Sequence, residues 1–323
     1  MIFSKTPFRI SLFGGGTDFP EWFNKNDGLV ISTCINKYST IGIRYLPPFF
    51  LHNYRIVYSK IDLVNSIKDI SHPVVRSIFQ KFNVKKGMEL HYFGDLPARS
   101  GIGSSSSFTV GLLNLMYNLQ NKKISNSQLA KQAIKIEREV LNEDGGWQDQ
   151  IAVANGGFNF INFNRNNYSI QKVNIKENNI KKINESLLMF YVGNTRNSYA
   201  IQKKLKKNMP NLHSQMQSIH SIAKEAKKII LSEKNYHELG LLMNESWNIK
   251  RKLTNAISND HIDETYDKAL KAGATGGKLI GAGGAGFMIF YCPKKNQNKL
   301  INSLKNLIHI PFKFEIEGSS VIK

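Results

Sequence analysis

Cysteine is nearly absent. Cys34 and Cys292 are the only two in 323 residues, and neither belongs to a Cys-x-x-Cys pair or a Cys/His cluster. This argues against a disulfide framework and a thiolate zinc site, and fits a reducing compartment. Acidic residues are also scarce, 24 against 44 Lys and Arg, which leaves a net charge of +20. No apolar run approaches the roughly 20 residues a membrane span needs, and Met1–Arg9 lacks a basic stretch followed by an apolar one. The expectation is a cytoplasmic protein with no membrane partner. No Gly-Lys-Ser/Thr closes a Walker loop, and the His-Arg-Asp and Asp-Phe-Gly signatures of protein kinases are missing. The eight histidines show no metal-ligand spacing, although His213 and His220 could share a helix face.

What is present is ordinary globular material. Hydrophobic residues make up 41%, and glycine and proline are scattered, which suits two domains with sizeable cores. The excess lysine is spread among asparagines and reads as solvated surface, with some attraction for anionic small molecules. No nucleic-acid motif accompanies the charge, so no nucleic-acid partner is expected.

Strand patterns occupy the first 60 residues: Phe8–Phe13 alternates, and Leu29–Ile35 and Ser39–Tyr45 are β-rich. Helical spacing follows over Pro73–Phe82, from Phe108 to Leu119, and over about Asn126–Leu141, where Ser125 or Ser127 supplies the cap. Further β-rich segments lie near Gly157–Phe163 and Ser186–Val192. Ser198–Leu253 reads as helical, broken near Met209–Asn211 and at Gly240, and a last helix spans about Asp263–Lys271. The class is α+β, with a boundary near residue 185 that divides the chain into 1–185 and 186–323.

Two Gly-rich segments and two carboxylates carry chemistry. Gly94–Ser107 lies between a strand and a periodic helix and contains Pro97, Arg99, Gly101, Ile102, Gly103, Ser104, Ser105 and Ser106. Small residues let backbone N–H groups approach an anion, the helix start adds a favourable dipole, and serine hydroxyls suit Mg²⁺. Glu137 shares a helix face with Ala133, Ile134, Val140 and Leu141. An inward carboxylate needs a partner, which a magnesium ion or a salt bridge to Arg or Lys would equally provide. Asp149, in Gly-Gly-Trp-Gln-Asp-Gln at 145–150, reads as a loop carboxylate, either a cap or turn residue or one that faces the same cleft. Gly281–Gly286 formally matches Gly-x-Gly-x-x-Gly, but a strand follows where a dinucleotide fold needs a helix, so a Gly-lined wall beside a ligand is the better reading.

In order and spacing these segments resemble the GHMP kinase family. Pro7–Asp18 is similar to its first motif, Pro97–Ser106 to the second and Lys278–Gly286 to the third. Ile-Glu-Arg-Glu at 136–139, Gly-Gly-Phe-Asn-Phe at 156–160 and Ala-Gly-Ala-Thr-Gly-Gly-Lys at 272–278 are similar to the branch of bacterial D-glycero-D-manno-heptose 7-phosphate kinases. The resemblance implies an N-terminal ATP-binding domain with a left-handed βαβ crossover and a C-terminal ferredoxin-like domain. It implies ATP and Mg²⁺ as cofactors and a sugar phosphate as acceptor, phosphorylated at its anomeric hydroxyl for surface-glycan synthesis. Residue by residue, it implies Ser105 and Glu137 as metal ligands and Asp149 as the group that orients or deprotonates the acceptor. The loop around 101–106 becomes the triphosphate cradle. Arg9, Gly15, Gly16, Thr17, Asp18, Gly283 and Gly284 become acceptor-side contacts. Asn194–Ser198 follows a strand and offers Thr195 and Arg196 for an acceptor phosphate. A monomer or homodimer is expected. The sequence leaves open another acceptor (fucose, a uronic acid, mevalonate) and a non-catalytic sugar sensor. Arg99, where the family prefers a small residue, and Ala285, where relatives often have glycine, depart from the pattern.

Overall fold

A computed structural model describes residues 1–193 and 198–322. Among these residues thirteen strands form two sheets. The larger contains β1 (Ile2–Phe13), β2 (Gly28–Tyr45), β3 (Tyr54–Val57), β4 (Ile61–Val64), β5 (Met88–Gly94), β6 (Phe158–Asn164) and β7 (Asn167–Lys172). The smaller contains β8 (Leu187–Tyr191), β9 (Gly276–Leu279), β10 (Phe287–Tyr291) and β11 (Ile308–Ile310). The last two strands, β12 (Phe314–Glu315) and β13 (Ser320–Ile322), return to the larger sheet and pair with β2 and β1.

The larger sheet runs β13-β1-β2-β5-β3-β4, with β6 on β2 and β7 on β6. Its pairs are antiparallel except β3 with β5, which run parallel across a crossover through β4 and the helix Pro73–Lys81. The smaller sheet is fully antiparallel, in the order β11-β8-β10-β9. The two β-rich runs expected at 29–35 and 39–45 are one 18-residue strand. A register shift opposite Pro7/Phe8 lets it bend there without ending. One half pairs with β6 and the other with β5.

The helices are α1 (Pro20–Phe23), α2 (Pro73–Lys81), α3 (Ser104–Leu119), α4 (Asn126–Ile134), α5 (Gln148–Asn155), α6 (Glu177–Glu185), α7 (Ser198–Asn208), α8 (His213–Ser232), α9 (Glu238–Lys250), α10 (Asp260–Lys271) and α11 (Gln297–Ser303). Ser125 is the cap of α4. It accepts from the Gln128 amide at 3.2 Å while the Gln128 side chain returns to the Ser125 amide at 3.1 Å, a reciprocal box. The break expected at Gly240 lies instead at 233–237, where Glu233 takes a left-handed φ of 56°. Gly240 is inside α9, because a Cβ there would lie 1.9 Å from Thr275 Oγ1; the glycine lets the helix pack onto β9.

Alternation on β1 sorts its side chains. Phe8, Ile10 and Leu12 join Ile31 of β2, Met189 of β8 and Phe287 and Ile289 of β10 in one buried cluster that welds the two sheets. Each such side chain contributes about 1.5–3 kcal/mol by burial. Arg9 and Ser11 lie on the opposite face of the strand, toward α5. No helix among the described residues is long and apolar enough to cross a membrane.

Candidate active site

The Gly-rich loops around 101 and 281 meet, and Arg9 of the first motif joins them. A Cβ on Gly101 would lie 2.3 Å from Ile280 O, and one on Gly281 would lie 2.4 Å from Gly101 Cα. Both residues also have left-handed φ, 86° and 81°, so each position needs glycine twice over. Gly103, at φ 75°, opens α3 and leaves room for Arg9, whose Cγ would be 3.1 Å from a Cβ there.

At this junction Arg9 grips Asp149. Nε and Nη2 of the guanidinium reach the two carboxylate oxygens at 2.7 Å each, and Nη1 donates to Gly101 O at 2.6 Å. Arg9 is only 4% exposed, whereas Asp149 is 25% exposed. The fork holds the carboxylate's plane and direction while leaving part of it to solvent. Asp149 stands in the first turn of α5, not in a loop as expected; Gly145 and Gly146 allow the chain to restart a helix there. Asp18 is 1% exposed and accepts from the Gly16 and Gln148 amides at 2.9 and 3.2 Å. Burial raises its pKa, nearby Asp149 raises it further, and the amides oppose both. Gly146 has no room for a side chain, since a Cβ would be 1.7 Å from Asp18 Oδ2. Thr17 is buried, and its hydroxyl donates to Gly14 O at 2.8 Å and accepts from the Leu29 amide at 3.1 Å, closing its own loop onto β2.

In the second segment Pro97 and Arg99 are exposed, and Arg99 has a left-handed φ of 59°. Its amide donates to Ser104 Oγ at 3.0 Å. Ile102 is buried, and its carbonyl accepts from the Arg9 amide at 3.0 Å, which ties the loop to β1. Ser105 is exposed on the first turn of α3, while Ser106 is buried and donates to Glu137 at 2.9 Å.

Glu137 is 3% exposed and lies in a π-helical turn, Lys135–Val140, that continues α4. The Leu141 amide bonds Ile136 O, five residues back. The wider turn breaks the face read from the sequence: Glu137 points inward while Val140 is 50% exposed. Its Oε2 accepts from Ser106 and from Gln150; Thr109 lies near the carboxylate but donates to Ser105 O at 3.1 Å, and among the described residues the buried Oε1 has no hydrogen-bond partner. Burial, then the nearby Glu143, pushes its carboxyl up to about 8. No Lys or Arg pairs with it among the described residues. No cluster of three His, Cys, Asp or Glu occurs there either. A Mg²⁺ ion asks for no such cluster, because one carboxylate plus hydroxyl, water and phosphate oxygens is its usual set. An orphaned buried carboxylate oxygen beside serine hydroxyls fits that requirement.

Two lysines escaped the reading of the sequence. Lys250, at the end of α9, donates to Gly281 O at 2.7 Å, and Lys278 of β9 donates to Ser11 O and Leu12 O at 2.9 and 3.1 Å. Burial, then the Arg9 charge, lowers Lys250 to about 8, with Asp18 and Asp149 opposing. Lys278 is lowered well below its ordinary value by burial, then by Lys250 and Arg9. Lys278 was visible only as part of a Gly-rich motif and Lys250 carried no local signal. Gly283 and Gly284 pack on Ile257, where the Gly284 amide donates to Ile257 O at 2.9 Å. Thr195 and Arg196 lie outside the described residues.

Comparison with known proteins agrees with this architecture. Residues 65–157 match the GHMP kinases N terminal domain, and residues 222–308 match the GHMP kinases C terminal domain. A D-glycero-alpha-D-manno-heptose 7-phosphate kinase of Campylobacter jejuni is 30% identical over 316 residues, 94% of this chain and 93% of that one. The chain belongs to the GHMP kinase family. A crystal structure of a D-glycero-D-manno-heptose 1-phosphate kinase from Bacteroides thetaiotaomicron superposes on this GHMP kinase with a TM-score of 0.82 at 22% identity, covering 100% of this chain and 99% of that one. A putative sugar kinase from Campylobacter jejuni gives 0.77 at 26% identity, covering 99% and 98%.

Proposed function

We propose that this GHMP kinase transfers the γ-phosphoryl group of ATP to the anomeric hydroxyl of D-glycero-D-manno-heptose 7-phosphate. The 1,7-bisphosphate would serve nucleotide-activated heptose in surface-glycan synthesis in the cytoplasm. The observation that carries the reading is the partly exposed Asp149, held by Arg9 where the loops around 101 and 281 meet. The 30% identity to a heptose 7-phosphate kinase across nearly both chains supports the choice of acceptor.

Residues 1–185 are assigned the ATP-binding part and 186–323 the C-terminal part, with β12 and β13 crossing back to the larger sheet. The amides of 101–106 and the start of α3 hold the phosphates. Ser105 and Glu137 would hold Mg²⁺, which when bound neutralises phosphate charge. Asp149 orients the acceptor hydroxyl and takes its proton as the new P–O bond forms and the bond to the ADP oxygen breaks. An anomeric hydroxyl is more acidic than an ordinary alcohol, and phosphoryl transfer through a loose transition state asks little of a base. Lys250, beside Arg9 and pointed at the Gly281 loop, offers a cation to the transferring phosphoryl group.

The test is ADP release with ATP and Mg²⁺ against D-glycero-D-manno-heptose 7-phosphate, sedoheptulose 7-phosphate, mannose 6-phosphate, fucose, galactose and mevalonate. Turnover confined to the manno-heptose phosphate is expected. Turnover on another acceptor keeps the kinase and discards the heptose; silence on all of them, with ATP still bound, points to a sensor.

A further inference from the structure

Gly15 stands between two glycines that the backbone requires, since Gly14 and Gly16 have φ of 78° and 109°, yet it has no left-handed φ of its own. Its missing side chain serves space, not conformation. A Cβ built on Gly15 would have only two heavy atoms within 4 Å besides its chain neighbours: Ser11 Oγ at 3.1 Å and Gln148 Nε2 at 3.6 Å. Both neighbours are polar and both are buried, Ser11 6% and Gln148 9% exposed. Among the described residues Ser11 Oγ and Gln148 Oε1 have no hydrogen-bond partner. Buried polar atoms are almost always paired, so the unpaired Ser11 Oγ beside this position, and the unpaired oxygen on the Gln148 amide whose Nε2 faces it, ask for a ligand that supplies the missing bonds.

The location says which ligand. Ser11 is the next residue after Arg9 on the same face of β1, and Gln148 directly precedes Asp149. The Arg9–Asp149 fork and the Ser11–Gln148 gap are therefore adjacent rungs between β1 and α5. Neither rung floats. Lys278 fixes the Ser11 carbonyl, and Asp18 fixes the Gln148 amide.

We propose that Ser11 and Gln148 are specificity-determining residues that read a hydroxyl of the acceptor neighbouring the one Asp149 orients, with that hydroxyl seated in the space Gly15 leaves open. This rests on the assignment of Asp149 to the acceptor centre. A hydroxyl both donates and accepts, so it satisfies Ser11 Oγ and the Gln148 amide together; a methylene or a carbonyl-flanked chain does not. The acceptor class is thus a vicinal polyol, and an acceptor lacking that hydroxyl leaves both protein groups unpaired.

The experiment uses the full chain, ATP and Mg²⁺, with D-glycero-D-manno-heptose 7-phosphate and its 2-deoxy analogue. The wild type is expected to prefer the parent sugar by about 10–100-fold in kcat/KM, the size of one unpaired buried polar group. Gly15→Ala fills the space and should raise the acceptor KM about tenfold or more with the ATP KM unchanged. Ser11→Ala should shrink the parent-to-deoxy ratio and, because it deletes a hydroxyl that has no partner in the free protein, leave the ligand-free unfolding midpoint unchanged or higher. A lowered midpoint would mean that Ser11 has an internal structural role, and would overturn the proposal. So would equal use of both sugars by the wild type, or an unaltered acceptor KM in Gly15→Ala, while the kinase reading stood. Wild-type silence with every sugar would remove the kinase reading and this one with it.

Discussion

Arg9 and Asp149 share two parallel 2.7 Å hydrogen bonds, and with them β1 and the first turn of α5 are locked together across 140 positions of sequence. The same guanidinium holds Gly101 O at 2.6 Å, so one side chain sets the Asp149 carboxylate and the Gly101 loop in a common frame.

Asp149→Asn keeps the shape of the side chain but removes the negative charge. It should fold normally and lose about 10²-fold or more in kcat. Single-turnover and steady-state rates check this, with circular dichroism as the folding control; near wild-type turnover would sink the role given to Asp149.

Glu137→Gln removes the charge of the carboxylate proposed to hold Mg²⁺ while keeping an acceptor for Ser106. The magnesium concentration for half-maximal rate should rise by about tenfold or more, in line with loss of a carboxylate ligand. A superimposable magnesium titration would mean that Glu137 is structural.

Lys250 sets a pH dependence. Its folded pKa is lowered to about 8, so the ammonium is present below that value and lost above it. The kcat/KM for ATP should therefore fall as pH rises through about 8, and Lys250→Met should lack that limb. Stability moves the other way. The unfolded lysine binds a proton up to its ordinary 10.5 and the folded one only to about 8, so unfolding takes up a proton in between and stability rises with pH over that window. Urea unfolding of wild type and Lys250→Met at pH 7.5 and 9.5 should show the larger gain in the wild type; equal gains would contradict the lowered pKa.

Gly101→Ala places a methyl group 2.3 Å from Ile280 O on a backbone with φ of 86°. A loss of about 2 kcal/mol or more of stability is expected from strain and displacement together. Chemical denaturation measures it, and a loss below about 0.5 kcal/mol, the range of ordinary surface changes, would show that the two loops separate freely.

The local signals in the chain were strong where the structural cause is local. The Ser125 box, the strand-loop-helix order around 94–107 and the glycines with left-handed φ are properties of a few consecutive residues, so the sequence already displayed them. The helix placed over Pro73–Phe82 appears as α2 for the same reason. Asp149 in a loop and a break at Gly240 were misread because each depends on a distant neighbour: Asp18 leaves no room for a side chain at Gly146 beside the restarting helix, and Thr275 leaves none at Gly240.

By itself, then, the sequence determined the α+β class, the three glycine motifs and the candidates Glu137 and Asp149, through residue types whose requirements are met within a turn or a strand. Only the tertiary structure decided what those residues touch. It closed the Arg9–Asp149 fork, turned Glu137 inward through a π-helical turn, and brought Lys250 to the Gly281 loop. It also left Ser11 and Gln148 facing an empty place at Gly15. The physical reason is that hydrogen bonds and steric exclusion act over a few ångströms of space, and folding brings within that distance groups that the chain keeps a hundred or more residues apart.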